Sequence, residues 1–521
     1  MINNLKGYLL VIAIVISSYF LFVHPYLSSV DFDSQPRTHY QYLTAGFLSG
    51  HLSLPVSPTP QLLKLKDPYN PEQNKMLRLH DASLYNGKYY LYFGPLPVLT
   101  YFLPIKLLTG LYPAEVSAVL FFSSFSFIIG MTLLRQIKES YFSDVSGSQL
   151  IFIGLILGFA NNAPFLLTRP KFYEVAIAST LFFMSLALYF LYHLLHDELK
   201  LKNAFWFSSC LALTIAGRPH FILINIILLP CVLIYLYKTL GREQPSVSSC
   251  LLSRPRGQCN SIKSIRASLI FTLFFPFISI ALLLATYNYL RFYSVFEFGQ
   301  SYQLASFDLR KAGLFFLKLS NMPIGFFHYF LQPYSILPIF PYIYFSPSAW
   351  VPNKPPYCFI DTMGILLSTP FVILILALPF QIKFYFKNKL EKFYPLLWFV
   401  LFAFIVPLVV SLFLISLSGG AQRYESDFVP YFIILSIISF WLFRDYPMKQ
   451  KLLKTIQIFF YMTGCMSIYI GLAIGVRGWG LLPISFTINK HFFLFYPAKF
   501  IAISITSILL YLLIRSLRKT A

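Results

Sequence analysis

An all-α polytopic bundle of about 12 membrane-spanning helices is the fold class this chain predicts, and three observations predict it. Only 12% of the 521 residues are charged while 57% are hydrophobic and 19% aromatic, against about 25% charged in an ordinary soluble protein. Uncharged apolar runs of about 20 residues recur along the whole chain, each long enough to cross ~30 Å of hydrocarbon. The 41 basic residues outnumber the 19 acidic ones by 22, and they fall in short clusters between the apolar runs, as membrane orientation requires. That dispersal excludes a nucleic-acid patch, and the composition excludes a large soluble enzyme.

Taken in order, residues 7–23 form the first span behind a short basic start at Lys6, and His24-Pro25-Tyr26-Leu27 is a poor cleavage site; the segment reads as an uncleaved anchor. Residues 24–114 read as a polar, aromatic first outer loop with interfacial helices. Within it 94–111 is apolar but carries Pro95, Pro97, Pro104 and Lys106, so it reads as a helix lying at the interface rather than a span. Spans follow at 116–134, 149–167, 175–194, 204–216, 221–237, 269–289, 363–382, 393–417, 428–443, 456–476 and 498–514. Both termini and the basic clusters around Arg254 and Lys387 then share the cytoplasmic face; a crossing at 94–111 would turn every later cluster outward. Residues 239–268 read as a basic cytoplasmic connector that meets lipid headgroups, and 288–361 as a long outer loop of the single membrane domain 1–521. Cys210, Cys231, Cys250, Cys259, Cys358 and Cys465 form no CxxC, which points to neither a zinc site nor a disulfide framework.

With this topology the unusual polar motifs converge on the outer face, where polar groups near span ends face a cavity or one another. Asp31 and Asp33 follow the first span; two carboxylates at i and i+2 either share a cation, divide into base and orienting group, or stay solvated. Arg423 stands beside Gly419 and Gly420, with Tyr424, Glu425 and Asp427 around it. Its planar fork suits a phosphate, and the competing reading is an internal ion pair with Asp427 or Glu425. Arg169, Lys171, Arg218 and His220 close two further span ends, as interfacial anchors or, with Arg423, as an electropositive pocket for a lipid-linked phosphate. Glu174 opens a helix after Pro170 and favours its N-terminus. His80 and Asp81 precede Tyr89-Tyr90-Leu91-Tyr92-Phe93, an interfacial belt or a stacking surface for sugar rings. No phosphate loop, HExxH or GxSxG occurs.

These residues resemble the GT-C superfamily of membrane glycosyltransferases, the group that includes the protein O-mannosyltransferases and the lipid A aminoarabinose transferase. The resemblance rests on Asp33 in the first outer loop, Tyr92-Phe93-Gly94-Pro95-Leu96-Pro97, and Arg423-Tyr424 followed by Pro430. Asn288-Tyr289-Leu290-Arg291-Phe292, Phe296-Glu297-Phe298-Gly299 and Tyr302-Gln303-Leu304 look like the signature of a bacterial branch. It implies inverting transfer of a sugar from a polyprenyl-phosphate donor on the non-cytoplasmic face of a bacterial inner membrane. Asp33, with Asp31, would be the catalytic base; Arg423, supported by Arg218, Lys171, Arg169 and His220, would hold the donor phosphate. His80, Asp81, Tyr424 and Glu174 would contact substrate, and the acceptor is not implied. The first-loop motif is Asp-Phe-Asp rather than the family's Asp-Glu, which leaves open a divalent ion (Mg or Mn) on Asp31 and Asp33. Two other classes compete: a transporter or flippase would show internal repeats and mid-span charges, and a polysaccharide polymerase or ligase would depend on arginines more than on an early carboxylate.

Overall fold

The computed structural model describes residues 2–27, 34–197, 199–242, 256–306, 308–312, 317–338, 341–346 and 358–477. Hydrocarbon offers no partner to a backbone amide, so the apolar runs fold as helices. Helix α1 (Ile2–Leu27) leads to α2 (His39–Leu48), the hairpin β1 (Ser83–Tyr85) and β2 (Lys88–Tyr90), and α3 (Leu103–Thr109). Then come α4 (Glu115–Tyr141), α5 (Gly147–Phe159), α6 (Ala163–Leu167), α7 (Phe172–His196), α8 (Leu201–Gly217), α9 (Ile222–Arg242) and α10 (Arg256–Phe292). Strands β3 (Tyr334–Ile336), β4 (Ile343–Phe345) and β5 (Cys358–Ile360) precede a 3-10 stretch, Pro370–Ala377, that runs into α11 (Leu378–Lys387). The described chain finishes with α12 (Tyr394–Ile415), β6 (Gly419–Ala421), α13 (Val429–Leu442) and α14 (Gln450–Arg477).

Eight described helices are long and apolar enough to cross a membrane, and the chain is an integral membrane bundle. The expected segments at 149–167, 204–216 and 428–443 are shorter than a full span, and 498–514 lies outside the described residues. The 149–167 run is not one helix. Asn162 adopts φ +63°, Asn161 Oδ1 accepts from the Ala163 amide at 2.9 Å, and Pro164 opens α6. Asparagine tolerates the left-handed region and proline cannot continue a helix, so the chain breaks there. The helical part of 94–111 is limited to Val98–Thr109, about 18 Å at 1.5 Å per residue and too short to cross.

Helix α13 is buried along its whole length. Its 14 residues rise only about 21 Å, roughly 9 Å less than a hydrocarbon core. The turn that starts it packs against α6, α7 and α12. Close approach of helices needs small residues, and Gly154 and Gly158 of α5 lie directly under Val11 and Val15 of α1.

The ends of the bundle are distinguishable by their contacts. At one end Arg444 meets Asp144 and Tyr141 hydrogen-bonds His196 at 2.8 Å. At the other end two loops interlock into a cap. Arg291, 1% exposed, donates to Leu91 O and to Asn288 Oδ1, each at 2.7 Å. Asp81 N donates to Leu304 O at 3.0 Å, Leu304 N to Ala82 O at 2.9 Å, and Ser83 Oγ to Gly299 O at 2.7 Å. The cap seats on α8 through Gly94, whose Cα lies against the Ala216 carbonyl with no room for a Cβ. Backbone cannot yield there, so Gly94→Ala is expected to destabilise by about 3 kcal/mol, as overpacking does. Gly87→Ala, at φ +70° with open space around it, should lose only about 1 kcal/mol from backbone strain. Thermal unfolding in detergent checks the order, and equal losses would refute the Gly94 contact.

Candidate functional site

The turn Gln422–Asp427 between β6 and α13 gathers charged side chains from three parts of the chain and the amide of Asn162 from a fourth. Strand β6 pairs in parallel with β5, Gly420 opposite Phe359. Gly420 leaves space for the Tyr329 hydroxyl, which a Cβ would strike; its smallness serves Tyr329. Helix α8 stops at Arg218 because Pro219 follows, and this turn aims the guanidinium inward. Arg218 Nη2 donates to Asp427 Oδ2 at 2.7 Å, with side chains 8% and 1% exposed. The His220 Nε2 lies 3.7 Å from the same oxygen, and its ring stacks on Phe413 at 4.8 Å.

Arg423 takes a different partner from the neighbours the sequence offered. Its Nη1 is 3.7 Å from Glu174 Oε1 at the start of α7, and its guanidinium faces the Tyr173 ring at 4.5 Å. Tyr424 lies between the two arginines, 5.0 Å from Arg218 and 5.3 Å from Arg423. Glu174 Oε2 accepts from the Lys171 amide at 3.2 Å, so one carboxylate both caps α7 and faces Arg423. Glu425 pairs with neither arginine. Its Oε2 accepts from Gln422 Nε2 at 2.7 Å and from Asn162 Nδ2 at 3.3 Å, at the break between α5 and α6. Burial holds the Glu425 carboxyl well above the usual carboxylate range, against the downward pull of its hydrogen bonds from Asn162 and Gln422. Asp427 is pushed up to about 6 by burial, against the downward pull of the Arg218 charge. Glu425 Oε1, Ser426 Oγ, Ser418 Oγ, Tyr329 OH and Tyr431 OH are buried without a hydrogen bond in the protein. Buried polar atoms are nearly always partnered, so this concentration marks the turn as a place where polar atoms of a bound molecule would find partners.

The first loop reaches the same place. The His39 ring stacks on Phe172 at 4.1 Å, Phe172 packs on Tyr173 at 4.0 Å, and Tyr173 carries Arg423. His39 Nε2 donates to His80 O at 3.0 Å. Burial raises the Tyr92 phenol; Asp81 and Tyr424 add to that while Arg423 and Arg218 oppose it.

Of the residues singled out from the sequence, Arg218, Arg423, His220, Tyr424 and Glu174 thus meet directly. Lys171 is exposed at the head of α7, and the Arg169 charge lowers both the Glu174 and the Asp361 carboxyls, each of which burial raises. Asp81 is buried beside exposed His80, its Oδ1 accepting from Gln303 Nε2 at 2.8 Å. Asp31 and Asp33 lie outside the described residues. Sequence reasoning missed Asn162, Tyr173 and Glu115; Glu115 is 8% exposed with Oε1 unpartnered. An acid opening a span after Pro113 was the available signal for Glu115. Among the described residues no group of three His, Cys, Asp or Glu is placed to hold a metal ion.

No family model and no curated protein matches the chain. Among solved structures, a crystal structure of ArnT from Cupriavidus metallidurans bound to undecaprenyl phosphate aligns over 97% of this chain and 75% of that one, at TM-score 0.42 and 12% identity.

The Asp427 shift sets a pH dependence. Its folded value, about 6, lies above its ordinary 3.8. The group's stabilising contribution is therefore complete below 3.8 and is lost as pH rises through about 6. Asp427→Asn should flatten that part of the profile of melting temperature between pH 4 and pH 7, roughly the window set by the two values. Parallel profiles for the two proteins would contradict the assignment.

Proposed function

We propose that the protein transfers a sugar from a polyprenyl-phosphate donor to an acceptor hydroxyl at the non-cytoplasmic face of the membrane, as a GT-C-type inverting glycosyltransferase. The observation that carries this reading is the pair of acid-balanced guanidiniums, Arg218 and Arg423, flanking Tyr424 at the head of the short central helix. Such forks suit a phosphate bidentately. A phosphate on a lipid tail arrives at this helix end because its hydrocarbon stays in the bilayer.

In the reaction the acceptor oxygen attacks the anomeric carbon from the face opposite the phosphate. The bond from that carbon to the phosphate oxygen breaks, and the phosphate leaves with the electron pair. Arg423 and Arg218 stabilise the growing negative charge, which is how a preorganised site lowers a barrier. Asp427 exchanges its partner: as the phosphate takes Arg218, the carboxylate, already raised by burial, takes up a proton from water. Asp33 receives the acceptor proton in this proposal. It precedes His39 by six residues, a tether of at most ~20 Å, and His39 abuts the Phe172–Tyr173–Arg423 stack. A divalent ion on Asp31 and Asp33 would assist the same departure. A transporter of lipid-linked sugar would carry its charges at mid-span, whereas the charges described here stand at helix ends.

Arg423→Ala should slow sugar transfer by about 2–4 kcal/mol, roughly 30- to 1000-fold, as loss of one electrostatic stabiliser does. Arg423→Lys should recover only part, because the fork is gone. Asp33→Asn should abolish transfer with donor binding retained. Rates are measured with purified protein and a radiolabelled polyprenyl-phosphate sugar; unchanged rates in both Arg423 variants would remove the phosphate assignment, and near-normal turnover in Asp33→Asn would remove the base.

A further inference from the structure

The cap carries a second cluster that the phosphate site does not use. Tyr69, Tyr85 of β1 and Tyr302 from the 3-10 turn Gln300–Tyr302 form a half-exposed aromatic ledge. Ring centroids are 4.6 Å apart for Tyr85 and Tyr302 and 6.4 Å for Tyr69 and Tyr302. Buried Phe292 forms its floor, stacked under Tyr302 at 5.8 Å and edge-on to Tyr85 at 5.6 Å. Among the described residues the hydroxyls of Tyr85 and Tyr302 make no hydrogen bond, while that of Tyr69 donates to Leu84 O.

The ledge is fixed before anything binds. Asn86 and Gly87 turn the hairpin at φ +47° and +70°, the conformation of a tight two-residue turn. Arg310 clamps both carboxylate oxygens of Asp67 at 2.8 Å and Asp308 at 2.8 Å, and covers the Tyr69 ring at 4.3 Å. Tyrosine orders only two side-chain torsions, so such a surface loses little entropy on contact. Around the rings stand Asp67, Arg310, Asp308, Glu297 and exposed Lys88. A surface meant for acyl chains would not carry that charged rim, so the ledge faces water. Gln303, next to Tyr302, donates to Asp81 at 2.8 Å, which ties the ledge to the first loop.

We propose that this ledge binds the acceptor, and that the acceptor is an oligosaccharide. A pyranose has an apolar C–H face and a rim of hydroxyls. Tyrosine offers the matching combination, an apolar ring and a polar tip, and Asp67, Arg310 and Lys88 supply charged partners for the hydroxyls. The inference rests on the transferase reading and adds to it the chemical class of the acceptor. Stacking of this kind discriminates weakly between sugars, so linear β-linked hexasaccharides serve as probes.

The test uses the full-length protein in sugar-free lipid nanodiscs and saturation-transfer NMR with cellohexaose and chitohexaose. The wild-type protein should transfer magnetisation to ring C–H protons of at least one of them. Tyr302→Ala and Tyr85→Ala should weaken that binding roughly fivefold or more, the scale of one lost aromatic contact. Tyr302→Phe should retain it, which separates stacking from misfolding. Arg423→Ala should retain it too, so loss of donor use with saccharide binding intact tests the transferase reading apart from the ledge. No transfer to either hexasaccharide from the wild type overturns the proposal. So does equal binding by both alanine variants, or a loss of binding to protein-free anionic vesicles in place of saccharide, which would make the ledge a membrane contact.

Discussion

Two guanidiniums buried at the head of a short helix are the constraint on which the rest of the site depends. A buried cation is tolerated only when paired, and the chain supplies a separate acid for each: Asp427 for Arg218 and Glu174 for Arg423. Those pairs tie the ends of α7 and α8 to the turn before α13, segments far apart in sequence. Glu425 stands apart from both pairs: its carboxyl is raised by burial and bonded to the side-chain amides of Gln422 and Asn162. The result is a site whose cations are held by exchangeable partners, with Asp427 poised near pH 6 to release Arg218 when another anion arrives.

The cap makes sense as a continuation of that arrangement. A bundle end with unpaired loops would leave the site open to water, which weakens every electrostatic contact inside it. Arg291 holds Leu91 O, and residues 81–83 exchange hydrogen bonds with 299–304. The segment around Asn288 to Leu304, which stands out in the sequence, is thus the fastening between two loops at the same end of the bundle. Its conspicuous residues are structural, and the aromatic ledge is what that fastening leaves exposed.

Much of the bundle was legible because hydropathy measures the cost of leaving hydrocarbon, and α1, α4, α7 and α12 answer to that term alone. The break after α5 was not: the Leu, Ile and Phe residues on both sides of Asn161-Asn162-Ala163-Pro164 keep the mean hydropathy of the run high, while Asn162 at φ +63° redirects the chain. The site was legible in residue type but not in pairing. Sequence proximity offered Asp427 and Glu425 to Arg423. The 3-10 turn at Gln422–Asp427 instead sends these side chains apart, giving Arg423 to Glu174 and Asp427 to Arg218. Glu115 escaped notice because an acid at a helix start has an ordinary explanation in the helix dipole.

The most direct measurement is a lipid competition on the purified protein, comparing a polyprenyl phosphate with the corresponding polyprenol by native mass spectrometry. The two ligands share a tail and differ only in the group that the guanidiniums would hold. Selective retention of the phosphate by the wild type, lost on replacing Arg218 and Arg423 together with alanine, is the predicted result. Equal retention of the phosphate and the alcohol would contradict the account.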